Sequence, residues 1–112
     1  MYKRTVILLF LVLGYCCVDA QQQPAAVLAE HIARKMKDTL QLSDAQKSSL
    51  YEINMQLHDR KKSARQQYAG SDSLRHHLQR IENSRDSLYR TILSQANYQL
   101  YLEKKKNLIS AN

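Results

Sequence analysis

The histidines are the side chains of this chain best suited to bind a metal ion. None of His31, His58, His76 and His77 has another histidine four residues away, the spacing that pairs ligands on one helix. Adjacent His76 and His77 would point about 100° apart on a helix, so one helix cannot aim both at a single ion. Asp72 and His76 are the pair able to hold an ion weakly, and a site formed across a dimer stays open as a separate alternative. We therefore expect no metal site, with Asp72, His76 and His77 as the residues that a metal would need.

The densest run of cations lies in residues 58–67, HDRKKSARQQ, where Ala64 is the one apolar side chain. A helix that is polar on all sides cannot be buried in a globular core. Two interpretations stay open: a solvated helix end whose charges suit the C-terminal dipole, or a cationic surface that binds a ligand. The candidate binding residues on and beside this segment are Tyr51, Met55, His58, Arg60, Lys61, Lys62 and Arg65.

An enzyme is not expected. The few carboxylates are dispersed among cations, with 17 Lys+Arg against 10 Asp+Glu and a net charge of +7. Two glycines and one proline leave no glycine-rich loop to hold a phosphate. Catalysis needs convergent groups in a pocket that excludes water, which a short helical chain hardly supplies. We expect no catalytic residue and no cofactor.

Residues 1–20 predict a cleavable signal peptide, with a charged start, an apolar segment and Ala20 at the cut. Two alternatives stay open. An uncleaved membrane anchor needs about 20 apolar residues and is disfavoured. A lipoprotein acylated at Cys16 or Cys17 is disfavoured because neither cysteine follows a small residue.

Residues 21–112 are predicted to form one all-helical domain. It has 15 Lys+Arg against 9 Asp+Glu and no cysteine. Secreted eukaryotic domains of this size commonly rely on disulfides, so the composition favours a bacterial periplasm and a dimer. An exported basic protein does not normally meet nucleic acid, so the expected partners are anionic lipid, lipopolysaccharide or an acidic polypeptide.

Caps and apolar spacing predict four helices. On the third, a heptad seam carries Arg85 at its centre. Such an arginine either covers apolar surface at the edge of a bundle or faces a partner or an open cradle. The predicted helices run from about residue 25 to 40, from a cap at Ser43 to Tyr68, from Ser71 or Asp72 after a break at Gly70, and from a cap at Ser94. The predicted inner faces comprise Val27, Leu28, His31, Ile32, Met36, Thr39 and Leu40; Ala45, Leu50, Ile53 and Leu57; Leu74, Leu78, Ile81, Leu88 and Ile92; and Tyr98, Tyr101, Leu102, Leu108 and Ile109.

Two helix starts share a motif, LSDAQ at 42–46 and LSQAN at 93–97. In the first, Ser43 and Gln46 have the spacing of a capping box, in which each side chain bonds the other residue's N–H. In the second, asparagine takes the place of glutamine. The motif residues are Leu42, Ser43 and Gln46 in the first copy and Leu93, Ser94 and Asn97 in the second.

The paired motif in a short exported helical chain resembles the L-T-x-x-Q pattern of the Spy/CpxP family of periplasmic stress chaperones and metal-resistance proteins. Serine replaces threonine in both copies. The resemblance implies an elongated four-helix protomer that forms a curved dimer and holds unfolded or partly folded clients on a basic face without ATP. It also leaves two alternative functions open: metal binding or resistance, and regulation of an envelope-stress kinase through its acidic sensor domain.

Overall fold

Four α-helices account for most of residues 23–111, which a computed structural model describes. The helices are α1 (Gln23–Leu40), α2 (Asp44–Gln67), α3 (Leu74–Arg90) and α4 (Gln95–Leu108). These residues contain no strand, which confirms the predicted all-α, four-helix fold. The predicted signal peptide and both cysteines lie outside the described residues. Within the described range, each helix is too short or too polar to cross a bilayer.

The helices close a ring in which each packs on its sequence neighbour and α4 returns to α1. Their apolar stripes meet in one core, as expected when each amphipathic helix must bury its apolar face. Lys35 also joins α1 to the C-terminal end of α4, because its Nζ donates to the Asn107 carbonyl at 2.6 Å and to the Ser110 carbonyl at 3.0 Å. The buried core cluster consists of Ile32, Ala33, Met36, Leu40, Leu42, Leu50, Ile53, Leu57, Tyr89, Leu93, Tyr101 and Leu108.

The turn between α1 and α2 is held by its backbone. Gln41 has a left-handed φ of 55°, and the Leu42 N–H donates to the Lys37 carbonyl at 3.0 Å. This is the Schellman arrangement, which satisfies a carbonyl that the end of the helix leaves open. It also turns Leu42 into the core, where the side chain is 6% exposed.

In the turn between α2 and α3, the prediction for Gly70 is confirmed and the prediction for the cap of α3 is wrong. Gly70 has the expected left-handed φ, 74°. The predicted caps, Ser71 and Asp72, do not cap α3, because Ser71 Oγ accepts from the Ser73 N–H at 3.2 Å inside the loop. Helix α3 begins at Leu74, after Ser73, whose side chain makes no capping bond.

The inner faces differ from the prediction at several positions. Val27 is 63% exposed, and Leu28 and Leu102 are each 39% exposed, while Thr39 and Ala45 also face solvent. In α1 the small residues Ala29 and Ala33 are buried instead. The remaining predicted inward positions are buried or half-buried. A short helix that packs on two neighbours buries the side facing both, and apolar spacing alone does not specify that side.

The molecule divides into two parts along α2, a 24-residue helix about 36 Å long. The core region, residues 24–57 and 82–111, contains the whole buried core cluster. The distal hairpin, residues 58–81, consists of the end of α2, the turn and the start of α3. Ala64 is the one buried side chain of the distal hairpin, all of whose residues are described.

Candidate functional site

The distal hairpin carries most of the unbalanced charge. It has six Lys+Arg against two Asp, or +4, whereas the core region has nine against seven, or +2. Arg60, Lys62, Arg65, Arg75 and Arg80 are all exposed, and none forms an ion pair with any residue that the structure describes. In the core region, by contrast, cations and carboxylates pair repeatedly. The distal cations therefore remain available to a ligand.

Five of the sequence candidates form one stripe along α2. Their spacing of four, three, four and three residues places them on the same side of the helix. Tyr51, at the core end, is half-buried and packs against the core cluster. Farther along, Met55 and His58 are half-buried, and Lys62 and Arg65 are exposed. The stripe thus changes from apolar to cationic along the helix.

The start of α1 lies beside this stripe and completes a groove. This α1–α2 groove combines half-buried Met55 and exposed Leu28 with the cations of α2. The residues that line the groove include Pro24, Ala25 and Leu28 of α1, Met55, His58, Asp59, Lys61, Lys62 and Arg65 of α2, and Arg85 of α3.

Arg60 and Lys61, the other two sequence candidates, lie off the stripe of α2, although Lys61 also lines the α1–α2 groove. Arg60 lines a second groove, between α2 and α3, together with Arg80. Lys61 is half-buried, and its Nζ donates to Glu82 Oε2 at 2.5 Å. Lys61 thus joins α2 to α3 through an ion pair, while Arg60 belongs to a separate surface.

Arg85 is buried, at 7% exposure, and points into the protein. Its NH1 group donates to Asn54 Oδ1 at 3.0 Å and to the Tyr89 hydroxyl at 2.8 Å. Its Nε donates to Glu82 Oε1 at 2.7 Å. Asn54 in turn donates to the Ala29 carbonyl at 3.1 Å. This buried network joins α1, α2 and α3, so Arg85 is bonded inside the bundle, and the same residue also lines the groove between α1 and α2.

The hydrogen bonds of this network stabilise the charged forms of Glu82 and Arg85, although burial disfavours them. Burial alone would raise the pKa of Glu82, but hydrogen bonds from Arg85 and Lys61 outweigh it and hold that pKa below the ordinary value. Burial alone would lower the pKa of Arg85, but Glu82 and Tyr89 raise it. Burial raises the pKa of Tyr89, which keeps its hydroxyl protonated. The carboxylate and the guanidinium are therefore both charged and paired at neutral pH.

A second buried hydroxyl lies beside this network. The Tyr101 ring meets the Tyr89 ring edge to face at 5.1 Å, and its hydroxyl donates to Asp86 at 2.7 Å. Burial and the bond to Asp86 raise the pKa of Tyr101. Lys105 also donates to Asp86, at 3.0 Å. This cluster attaches α4 to α3.

The sequence interpretation missed Asn54, Glu82 and Tyr89 as partners of Arg85. The sequence spacing does indicate two of them, because Glu82 lies three residues before Arg85 and Tyr89 lies four residues after it, within reach on one helix. Asn54 lies next to Ile53 on the inward side of α2. A buried polar residue requires partners, so these side chains were the ones to test against Arg85.

The two motif copies meet at one end of the bundle. Ser43 Oγ accepts from the Gln46 N–H at 3.1 Å, and Gln46 Oε1 accepts from the Ser43 N–H at 3.0 Å. Gln46 Nε2 also donates to the Ile92 carbonyl at 3.1 Å, just before the second copy. Ser94 Oγ accepts from the Asn97 N–H at 3.2 Å. The motif therefore caps two helices and links their junctions.

The residues that a metal would need do not converge. Asp72 and His76 are exposed, and the His77 ring stacks on Tyr68 with centroids 3.8 Å apart. Within residues 23–111, no three histidine, aspartate or glutamate side chains are placed to share an ion.

Comparison with protein-family models, with curated proteins and with solved structures finds no match for this chain. Its function must therefore be argued from the two grooves and the charges around them.

Proposed function

We propose that this protein is an ATP-independent chaperone of the bacterial periplasm that holds unfolded or partly folded clients and suppresses their aggregation. The α1–α2 groove is the observation that carries the proposal. It places the apolar side chains of exposed Leu28 and half-buried Met55 beside Lys62 and Arg65, which form no ion pair with any described residue. An unfolded chain offers both apolar side chains and carboxylates, so it complements such a surface.

The charge and the apolar surface have different roles in this proposal. The distal hairpin's net charge of +4 attracts acidic segments at long range and speeds encounter. Leu28 and half-buried Met55 then hold apolar client side chains. Each exposed apolar residue contributes little, since burying a whole large side chain stabilises by only about 1.5–3 kcal/mol. Clients are therefore held loosely and can leave without an energy source.

The proposal includes a homodimer, in which two α1–α2 grooves form one longer surface. Sedimentation equilibrium of the protein without its signal segment measures this directly. We expect twice the chain mass at micromolar concentration. A monomer at all concentrations would remove the extended surface and leave each groove to act alone.

Suppression of aggregation is the test of the function itself. An unfolding client is diluted into buffer with equimolar protein and no nucleotide, and aggregation is followed by light scattering. We expect strong suppression that weakens as salt rises from 50 mM to 500 mM, because salt screens the cations. No suppression at any ratio would overturn the proposal.

A matched pair of variants locates the surface. Lys62→Gln with Arg65→Gln removes two charges from the α1–α2 groove and should weaken suppression severalfold. Lys104→Gln with Lys106→Gln removes two exposed charges from α4 and should leave suppression unchanged. Equal losses in both pairs would show that net charge acts without a defined groove.

A further inference from the structure

A second groove lies between α2 and α3 in the distal hairpin. This α2–α3 groove has a volume of about 570 Å³, and Ala64 and Ile81 contribute to its apolar lining. Arg60 of α2 and Arg80 of α3 line it as well, and both are exposed. At the loop end, the groove reaches the stacked rings of Tyr68 and His77.

The polar side chains of this groove are mostly donors without partners. Arg60 and Arg80 form no hydrogen bond or ion pair through their side chains with any described residue, and the same holds for Ser63 and Gln67 among those residues. Asp59 is the one carboxylate in the lining. The buried network around Arg85 is the opposite case, since each polar group there has a partner. An anion in the α2–α3 groove would accept hydrogen bonds from Arg60 and Arg80, as Glu82 accepts them from Arg85.

The separation of Arg60 and Arg80 along the helix axes follows from two contacts that join the antiparallel helices α2 and α3. Lys61 pairs with Glu82, and Tyr68 stacks on His77, so Arg80 lies level with about residue 64 of α2. Arg60 is four residues from that level, or about 6 Å along the helix axis. In an extended peptide, side chains two residues apart point to the same side and are separated by about 6.6 Å.

From this match we infer that the α2–α3 groove binds an extended acidic segment of a partner protein, with carboxylates at alternate positions reaching Arg60 and Arg80. The backbone of the segment lies over Ala64 and Ile81, whose side chains leave room for it. The site lies apart from the α1–α2 groove and needs no unfolded client. Its occupancy is therefore measurable whether or not the protein suppresses aggregation.

Fluorescence anisotropy with two labelled peptides of identical composition tests the inference. One carries Thr-Glu-Thr-Glu-Thr and the other Thr-Glu-Glu-Thr-Thr, so the net charge is equal and only the spacing differs. Adjacent glutamates in an extended chain point to opposite sides, and only one of them can enter the groove. We expect the alternating peptide to bind about tenfold more tightly at 50 mM salt, as one additional charge-assisted hydrogen bond would give.

Variants assign the difference to the groove. Arg60→Gln and Arg80→Gln should each remove the roughly tenfold preference, while Arg75→Gln, an exposed arginine of α3 outside this groove, should preserve it. Unchanged urea unfolding of each variant would show that the fold is intact. Equal binding of the two peptides by the unmodified protein, or loss of the preference in Arg75→Gln, would overturn the inference.

Discussion

Arg85 and Arg80 are five residues apart on α3, yet their surroundings are opposite. Arg85, in the core region, is bound by Glu82, Asn54 and Tyr89. Arg80, in the distal hairpin, is exposed and has no ion-pair partner among the described residues. The difference shows that residue type does not separate structural cations from binding cations. Burial and bonded partners separate the two kinds of cation, because a buried charge must be paired while an exposed charge need not be.

The largest expected effect distinguishes these two arginines. Arg85→Leu leaves Glu82 with Lys61 as its one cation, removes the donor to the Tyr89 hydroxyl, and leaves Asn54 Oδ1 with only the Tyr89 hydroxyl as donor. The loss should lower the free energy of unfolding by about 3–5 kcal/mol. Arg80→Leu should change it by less than about 0.5 kcal/mol. Urea denaturation followed by circular dichroism measures both. Similar losses in the two variants would contradict the comparison.

Local stability should differ between the two regions as well. The distal hairpin buries one small apolar side chain, Ala64, so little holds it closed once it begins to open. By hydrogen exchange, the backbone N–H groups of 61–67 and 76–80 should exchange at least tenfold faster than those of 48–57 and 86–90. Uniform protection along α2 would show that the two regions open together.

The pKa of Glu82 predicts a pH dependence that belongs to the network. The folded pKa lies below the ordinary value of 4.5, so ionised Glu82 stabilises the folded state at neutral pH. That contribution is lost as pH falls below about 4.5 and through the folded pKa. Glu82→Gln should weaken the dependence of the unfolding free energy on pH in this acid range. Glu103→Gln changes an exposed residue and should leave that dependence unchanged. Parallel acid curves for the two variants would exclude Glu82 as the source.

The smallest expected effect distinguishes the two motif copies. Ser43→Ala removes a complete capping box and should cost about 1 kcal/mol of unfolding free energy. Ser94→Ala removes a cap with no return bond from Asn97 among the described contacts, so about 0.5 kcal/mol is expected. Asparagine is one methylene shorter than glutamine, which accounts for the missing bond. Equal losses would mean that the return bond adds nothing.

Features that depend on neighbouring residues were predictable from the sequence. The cap at Ser43, the left-handed Gly70 and the cap at Ser94 all follow from side-chain chemistry within a few residues. The four helices follow from apolar spacing in the same way. These rules act inside one element, so they need no knowledge of what packs against it.

Features that depend on contacts between helices were predicted less well. Tyr89 is fully buried but lies one residue off the predicted seam of α3. Leu28 matches the predicted stripe of α1 but is 39% exposed. The α1–α2 groove could be anticipated only on its α2 side, because the position of the start of α1 is set by the packing of the whole bundle. The buried state of Arg85 depended on Asn54, which is 31 residues away in sequence.

The order of packing around the ring bears on how fast the chain folds. Three of the four packed helix pairs are neighbours in sequence, and only the docking of α4 on α1 joins distant segments. Helical topologies dominated by short-range contacts commonly fold within microseconds to milliseconds. We expect the α1–α2 and α2–α3 pairs to form first and α4 to dock last, when Lys35 meets the carbonyls at its end. A chain that folds this quickly spends little time with its own apolar core open to other chains.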